Sequence, residues 1–474
     1  LSYLPAGIFT ARGQEMKNPI LVPELRDLLK RKRFTILRSF LGEQHEKEIA
    51  EYLSLLNPEE IWKILNLVDP YRRSEIFTYM DMDVQVSLVS GPLKKNITEL
   101  LMQMSHDDRA DLFQHLEKNV ADKLLLLLPL DERYDIINLT SYSEGTAGAI
   151  MTTDFATLVE DDAVEKSIKK IRREAPSRET IYYIYVTDQH EKLIGFVSLR
   201  NLILARPKQK ISSIMKSEVI YAYVDDDQEK AAQLIEEYDL IALPIVDYNN
   251  RLCGIITHDD AIDIIREEQT EDMERLMAIS GRVEEKTYLD VPAFVHFKKR
   301  VFWVVTLGIL SLLTGLIIQG FQDTLESLII LTFYMPMLTA TGGNTGSQAA
   351  TVVLRALALN ELNPTDILKV IWKELSISIL LALCLGAITY FRVLLMSGNT
   401  TIPPILTLQS IATVIGIALT IQVVWSTLFG AVIPIIATRL KLDPAVVSSP
   451  ALTTFVDMGG IAIYFTTAKI VLGI

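Results

Sequence analysis

Residues 301–321 read VFWVVTLGILSLLTGLIIQGF, an uncharged run of about the 20 residues that a helix needs to cross a hydrocarbon core. The 474-residue chain repeats this pattern only toward its C-terminus, where residues 325–338, 377–390, 405–436 and 446–472 are similarly apolar and the last is broken by Asp457. Nothing before Val301 is long or apolar enough to span. The expected layout is a soluble N-terminal half followed by a membrane half of five spans. The opening residues lack a basic region followed by an apolar run, so no signal peptide is expected.

Charge divides along the same line. From Phe297 onward there are ten Lys/Arg and seven Asp/Glu, which leaves −16 of the overall −13 on the first half. That balance excludes a basic nucleic-acid surface, and no nucleic-acid partner is expected. Residues 224–275 alone hold sixteen carboxylates against four cations. Such a run is either a solvated face or a set of ligands for a divalent cation. Lys298, Lys299 and Arg300 precede the first span, Arg355, Lys369 and Lys373 flank the second connection, and Arg439 with Lys441 flank the fourth. Five spans with the soluble half inside fit this alternation, which puts the C-terminus outside. Cys253 and Cys384, one per half, form neither a disulfide framework nor a zinc site.

Between about Gln44 and Asn138 the chain reads as short amphipathic helices. A local phrase recurs at Arg73–Ser74–Glu75–Ile76–Phe77, Arg109–Ala110–Asp111–Leu112–Phe113 and Arg133–Tyr134–Asp135–Ile136–Ile137. Recurrence of a helical unit predicts a small α-solenoid, with a plain bundle as the alternative. A second repeat is sharper. Ile150–Met151–Thr152 returns as Ile214–Met215–Lys216, each followed by an acidic loop, a helix and two strands, the second being 193–198 (LIGFVS) and 252–257 (LCGIIT). Two such units resemble a tandem pair of CBS domains, and Thr257–His258–Asp259–Asp260 resembles the ribose-contacting Ser/Thr-x-x-Asp of nucleotide-binding members. The first unit has Asn201 in that aspartate's place. Residues 259–282 then read as one helix, with Asp259, Asp263, Glu267 and Glu271 at successive i, i+4 positions. Like charges at that spacing destabilise a helix by a few tenths of a kcal/mol per pair unless a cation intervenes.

Two segments of the membrane half carry chemistry. Asp457 stands inside the last span, on one stripe with Ser449 and Thr453. A carboxylate there costs about 2.5–3.5 kcal/mol on insertion scales, so it must face protein or water, as a protonated helix–helix hydrogen bond or as a cation site in a pore. In the second span Pro336 precedes a run of Thr, Gly, Asn and Ser from Thr339 to Gln348. That run is poor helix by propensity; its small residues allow close helix approach or leave carbonyls free to line a water-filled route.

Pro336 with Gly342–Gly343–Asn344–Thr345–Gly346, and Asp443–Pro444–Ala445 with Pro450 and Asp457, resemble the signatures of MgtE-type magnesium transporters. So does the order of the parts, from about Gln44 to the end. The resemblance implies a multidomain fold: an N-terminal segment of unassigned role at 1–43, a cytosolic α-helical, solenoid-like domain at 44–140, tandem CBS domains of α+β type at 141–258, a connecting acidic plug helix at 259–296 and a five-helix transmembrane domain at 297–474. It implies a homodimer in the lipid of the cytoplasmic (cell inner) membrane, its pore at the subunit interface. The pore ligands are then Asp457, Asn344, Thr453 and Ser449, the last standing where some members have asparagine. Regulatory Mg2+ ligands match at Asp107, Asp111, Asp227, Glu229, Asp239, Asp260, Asp263, Glu268, Glu271, Asp272 and Asp443. Mg2+ is implied as both cargo and regulator, and ATP as a candidate ligand at Thr257 and Asp260. Mg2+ keeps several of its waters, which suits one carboxylate ring with amide and hydroxyl acceptors; Mn2+, Co2+ and Ni2+ are alternative cargoes. A CBS-regulated anion channel is the rival, but an anion path would not want Asp457. No nucleophile–base pair, zinc helix or phosphate loop points to an enzyme, and a non-transporting sensor would not need an intramembrane acid.

Overall fold

The computed structural model describes residues 21–91, 96–281, 288–289, 291–358, 361–398, 402–404, 406–442 and 450–473. It divides into two compact units, Leu1–Arg266 and Glu267–Ile474. The first unit opens with ten short helices: α1 Leu21–Lys30, α2 Phe34–Glu43, α3 Glu46–Leu53, α4 Pro58–Leu65, α5 Pro70–Thr78, α6 Met82–Ser90, α7 Ile97–Leu101, α8 His106–His115, α9 Lys118–Leu125 and α10 Leu130–Leu139. Their starts are written locally. Asn57 and Glu60 form a reciprocal capping box before α4, and Asp69 accepts from the Arg72 N–H before α5, with Pro58 and Pro70 in the first turn. Helices two apart pack together, α3 with α5, α4 with α6, α5 with α7, α6 with α8 and α8 with α10. This stacking buries one face centred on Trp62, Phe77, Leu101 and Leu112, as a solenoid does.

The recurring arginine has a shared task. Arg73 donates from Nε to the Leu65 carbonyl at 3.0 Å, Arg109 from Nη1 to Leu101 at 2.9 Å, and Arg133 from Nε to Leu128 at 2.8 Å. Each guanidinium thus reaches a carbonyl at or just past the end of a preceding helix, groups that would otherwise be orphaned.

Two matching sheets follow. In the first, β1 Thr157–Val159, β2 Tyr183–Thr187 and β3 Leu193–Ser198 lie in that order, with helices α11 Val164–Glu174 and α12 Leu199–Leu204. The second repeats it with β4 Ala222–Tyr223, α13 Gln228–Glu237, β5 Ala242–Val246 and β6 Leu252–Thr257. In both, the first pair is parallel, the second antiparallel, and the register shifts at the same place, Val186/Thr187 and Ile245/Val246. The repeated opening phrases cross over reciprocally: Thr152 bridges to Ile255 of the second sheet, and Lys216 to Phe196 of the first. That crossing explains the glycine of each strand phrase. A Cβ on Gly195 would lie 2.7 Å from the Lys216 carbonyl oxygen, and one on Gly254 would lie 2.9 Å from that of Thr152.

Helix α14, His258–Leu276, ends short of the expected 282. Ala278 turns to φ +54° and Gly281 to φ +115°, while the Ile279 N–H returns to the Glu274 carbonyl, so the chain leaves the helix through a left-handed turn.

The second unit holds α15 Ala293–Gly320, the short α16 Gln322–Ser327, α17 Met335–Ala358, α18 Ile367–Met396, α19 Leu408–Arg439 and α20 Pro450–Leu472. Four of the long helices are apolar enough to cross a membrane by length and composition; α17, 24 residues long, is not among them. The expected second span at 325–338 is a misplacement. Those residues form the end of α16 and a 3-10 turn, Ile329–Phe333, whose Leu328, Ile330 and Leu331 are buried in the bundle. The helix itself starts at Met335 and carries the whole glycine-rich run in α-helical form, which corrects the reading of that run as poor helix with free carbonyls. Helix α19 is the hub, packed against α17, α18 and α20.

The glycine contrast is directly testable. Gly254→Ala should destabilise the first unit by about 1–3 kcal/mol through overpacking. Gly42→Ala, inside α2 with open space around the new methyl, should be neutral or stabilising by up to about 1 kcal/mol. Pulse proteolysis of the full chain across a urea series reads both; equal effects would contradict the crossed arrangement.

Candidate ion-binding sites

In the first unit, carboxylates from three segments meet: Asp107 and Asp108 in the first turn of α8, Glu179 just before β2, and Asp259 and Asp260 in the first turn of α14. The cause of each titration shift shows the convergence. Burial first, then Asp108, Asp260 and Glu179, raise Asp107 well above the usual carboxylate range, and its Oδ1 is buried without a hydrogen-bond partner among the described residues. Burial and then Asp260, Asp259, Asp154 and Asp108 lift Glu179 to about 7, although its rim position leaves it open to solvent screening. Asp260 is raised to about 6, by burial first; the Thr257 hydroxyl hydrogen-bonds to it and pulls the other way, while Asp259 and Asp108 add to the rise. Asp108 accepts from Ser105 Oγ at 2.6 Å. Oxygen donors gathered in this way, short of neutralising partners, are the donor set of a hard divalent cation.

Of the residues picked out from sequence, Asp107 and Asp260 stand in this cluster. The others have separate settings. Asp111 is exposed on α8. Asp227 caps α13 by accepting from the Glu229 N–H at 2.8 Å, Glu229 accepts from Gln233 at 3.0 Å, and Asp239 is exposed at φ +50° beyond that helix. Asp263 pairs with Arg266 at 3.4 Å, and Glu271 with Arg275. Glu268 is half-buried and Asp272 exposed on α14. Asp443 and Ser449 lie outside the described residues. Sequence reading missed Asp108, Glu179 and Asp259 as cluster members. The first and last are neighbours of chosen residues, whereas no local signal marks Glu179.

In the second unit, small residues bring α17, α19 and α20 together. A Cβ on Gly430 would lie 2.2 Å from the Gly346 carbonyl oxygen, and one on Gly343 would lie 3.2 Å from Thr453 Cγ2. Thr345 and Ser426 share a hydroxyl–hydroxyl hydrogen bond of 2.6 Å in this contact. Gln422, fully buried and missed from sequence, packs between Gly342 and Gly460 and donates to the Val456 carbonyl at 3.5 Å. The next residue, Asp457, is half-buried, and its Oδ1 is buried with no hydrogen-bond partner among the described residues. Thr453 stands one turn before it. Asn344 is exposed, on the outer face of α17 with Gln348 and Thr351.

The cluster makes the ion-free first unit pH-sensitive. Glu179 and Asp260 have folded values of about 7 and 6, above their ordinary ones. The stability they contribute is therefore full below about pH 4 and is lost as pH rises through about 6–7. In chelator, the full chain should lose first-unit stability across that window. Saturating Mg2+ should flatten the slope, and Mg2+ binding near pH 6.5 should release protons, measurable by calorimetry in buffers of different ionisation enthalpy. Binding without proton release would contradict the cluster.

Comparison with known proteins places these features. The family model for MgtE, a divalent cation transporter, matches residues 335–467; that for the MgtE intracellular N domain matches 44–145, and the CBS model matches 147–208 and 211–267. The magnesium transporter MgtE of Thermus thermophilus is 34% identical over 455 residues, 95% of this chain and 98% of that one. That of Bacillus subtilis is 32% identical over 426 residues, 90% of this chain and 89% of that one. A crystal structure of the cytosolic domain of the Mg2+ channel MgtE in complex with ATP is 34% identical, with a TM-score of 0.49, and covers 52% of this chain and 100% of that one. With relatives matching almost end to end and separate matches to its helical, CBS and membrane parts, the chain belongs to the MgtE family of magnesium transporters.

Proposed function

We propose that the chain is one subunit of a homodimeric, magnesium-selective channel of the cytoplasmic membrane, gated by intracellular Mg2+ at its acidic cytosolic region. The observation that carries this reading is Asp457: an acid inside an apolar helix, with a buried oxygen that no described side chain or backbone group satisfies. Leaving a charged group so placed is costly unless a cation visits it. Two copies would present two such carboxylates to one hydrated ion. Thr453 lies on the same stripe and Asn344 on the adjoining helix, and both could accept from the ion's water shell, as could Ser449.

On the cytosolic side, Mg2+ would neutralise the cluster of Asp107, Asp108, Glu179, Asp259 and Asp260. The acids farther along α14, Asp263, Glu268, Glu271 and Asp272, together with Asp227, Glu229, Asp239 and Asp443, would supply further Mg2+ ligands. Loss of the ions restores repulsion and loosens the assembly, which frees the pore. Thr257 and Asp260 keep the Ser/Thr-x-x-Asp spacing of a ribose contact and hydrogen-bond each other, which supports an adenosine nucleotide such as ATP as a second regulator. Calorimetry on the full chain, with and without Mg2+, should then show ATP binding weakened by Asp260→Ala, and absence of binding at millimolar ATP in both states would remove that site.

The pore assignment is tested by Mg2+ uptake into proteoliposomes. Asp457→Asn keeps the shape and one acceptor but removes the charge. Uptake should fall at least about tenfold, equivalent to about 1.4 kcal/mol at the barrier, with insertion and assembly unchanged. Normal uptake through a well-folded Asp457→Asn protein would overturn the assignment, and uptake of Mn2+, Co2+ or Ni2+ in preference to Mg2+ would replace the cargo but not the site.

A further inference from the structure

A second cluster, of different chemistry, lies where α8 and α10 meet the segment that leads into β1. His106 opens α8, Glu132 and Asp135 stand one turn apart on α10, and Asp154 follows Thr153 in that segment. A ring nitrogen of His106 and one oxygen each from Glu132 and Asp135 all lie within 4.8 Å of one another. His106 Nε2 is 3.6 Å from Glu132 Oε2 and 3.4 Å from Asp154 Oδ1, and Nδ1 is 3.6 Å from Asp135 Oδ2.

The ring cannot satisfy these three acids by itself. Its Nδ1 already makes a short contact with the Thr153 hydroxyl. On the other side of the ring, Nε2 faces the oxygens of Glu132 and Asp154, so a ring nitrogen and carboxylate oxygens from three segments share one small space. Arg109, its side chain 1% exposed, donates to Glu132 at 2.5 Å, and Arg178 approaches Asp154 at 3.8 Å. The two arginines offset two of the three acids and leave one carboxylate beside the ring nitrogens without a basic partner among the described residues.

We propose that His106, Glu132 and Asp135, with Asp154 in reach, form a binding site for one first-row transition-metal dication, distinct from the all-oxygen Mg2+ cluster. Imidazole suits Zn2+, Ni2+ and Fe2+, and a set that adds carboxylates also accommodates Mn2+, while Mg2+ takes oxygen ligands and keeps its waters. Metal–ligand bonds of about 2.0–2.2 Å put neighbouring donors roughly 3–3.5 Å apart, so small side-chain movements close the triad on an ion. The Thr153 contact orients the ring, as outer partners of metal-bound histidines do. Arg109 competes for Glu132, which keeps the affinity moderate. An ion here would fasten the helical domain to the start of the CBS pair, both within the first unit, and so would make the sensor answer to a metal other than its cargo.

The test uses the full chain in detergent with Mg2+ in large excess, so that the oxygen-only sites are filled, and adds Mn2+ below one equivalent. Pulsed electron paramagnetic resonance should show Mn2+ bound with a nitrogen hyperfine coupling. His106→Leu should abolish that coupling, and Asp135→Asn, on a half-buried residue, should weaken Mn2+ binding at least about tenfold, given that even outer partners of a ligand contribute about 10–100-fold. No nitrogen coupling in the natural protein, or coupling that survives His106→Leu, would overturn the site. Should His106→Leu fail to fold, the titration of Asp135→Asn decides alone: unchanged Mn2+ affinity contradicts the proposal, and the tenfold loss supports it. Neither result depends on the pore assignment.

Discussion

The crowding of carboxylates, some of them partly withdrawn from water, is the constraint on which the first unit depends. Asp107, Asp108, Glu179, Asp259 and Asp260 come from three segments; burial first, with neighbouring acids adding to it, pushes Asp107, Asp108, Glu179 and Asp260 toward their protonated forms. Two like charges about 6 Å apart at an effective dielectric near 20 cost roughly 3 kcal/mol. Against a folding stability of about 5–15 kcal/mol, several such pairs cannot be ignored. A proton or a divalent cation relieves the cost, and at neutral pH the cation is the relief that scales with cellular Mg2+. On the proposed reading, the arrangement is unfavourable alone and favourable when loaded, as a sensor requires.

The membrane unit uses the opposite device. There the polar groups are few and most are satisfied: Tyr464 donates to the Leu331 carbonyl, Tyr334 pairs with Ser397, and Thr345 pairs with Ser426. Glycines at 342, 343, 346, 430 and 460 bring three helices close enough that backbone and Gln422 pack tightly. Against this background the unsatisfied Oδ1 of Asp457 stands out as the unpartnered carboxylate oxygen within the apolar helices described. Close helix packing around one unpartnered acid contrasts with the many-charge cluster of the first unit.

Much of this was legible in the residues, and the failures have physical causes. The CBS pair could be read because strand phrases with a central glycine recur, and the glycine turned out to be where the two units cross. Asp457 could be read because an acid in an apolar run has few innocent explanations. The second span was misplaced because hydropathy follows Leu325–Leu338, which packs inside the bundle, while α17 is built of Gly, Thr, Asn and Ser, whose low hydropathy hides a helix held by close packing. The regulatory acids were half legible. Asp107 and Asp260 matched a family pattern, but Glu179 joins them only through the fold, and the His106, Glu132 and Asp135 triad draws on residues 29 apart that no local pattern links. Asp227 also caps a helix, a role that its side chain's acceptance from the Glu229 N–H shows and that the ligand reading did not include.

The central claim is that divalent cations hold the acidic segments of the cytosolic unit together. Hydrogen–deuterium exchange of the full-length protein in a lipid nanodisc, at constant ionic strength, tests it most directly. In millimolar Mg2+, amides around Asp107–Asp108, Glu179 and Asp259–Asp260 should exchange more slowly than in chelator, with the helices of the solenoid far from the cluster unchanged. Equal exchange at those three segments with and without Mg2+ would show that the carboxylates are an ordinary solvated surface.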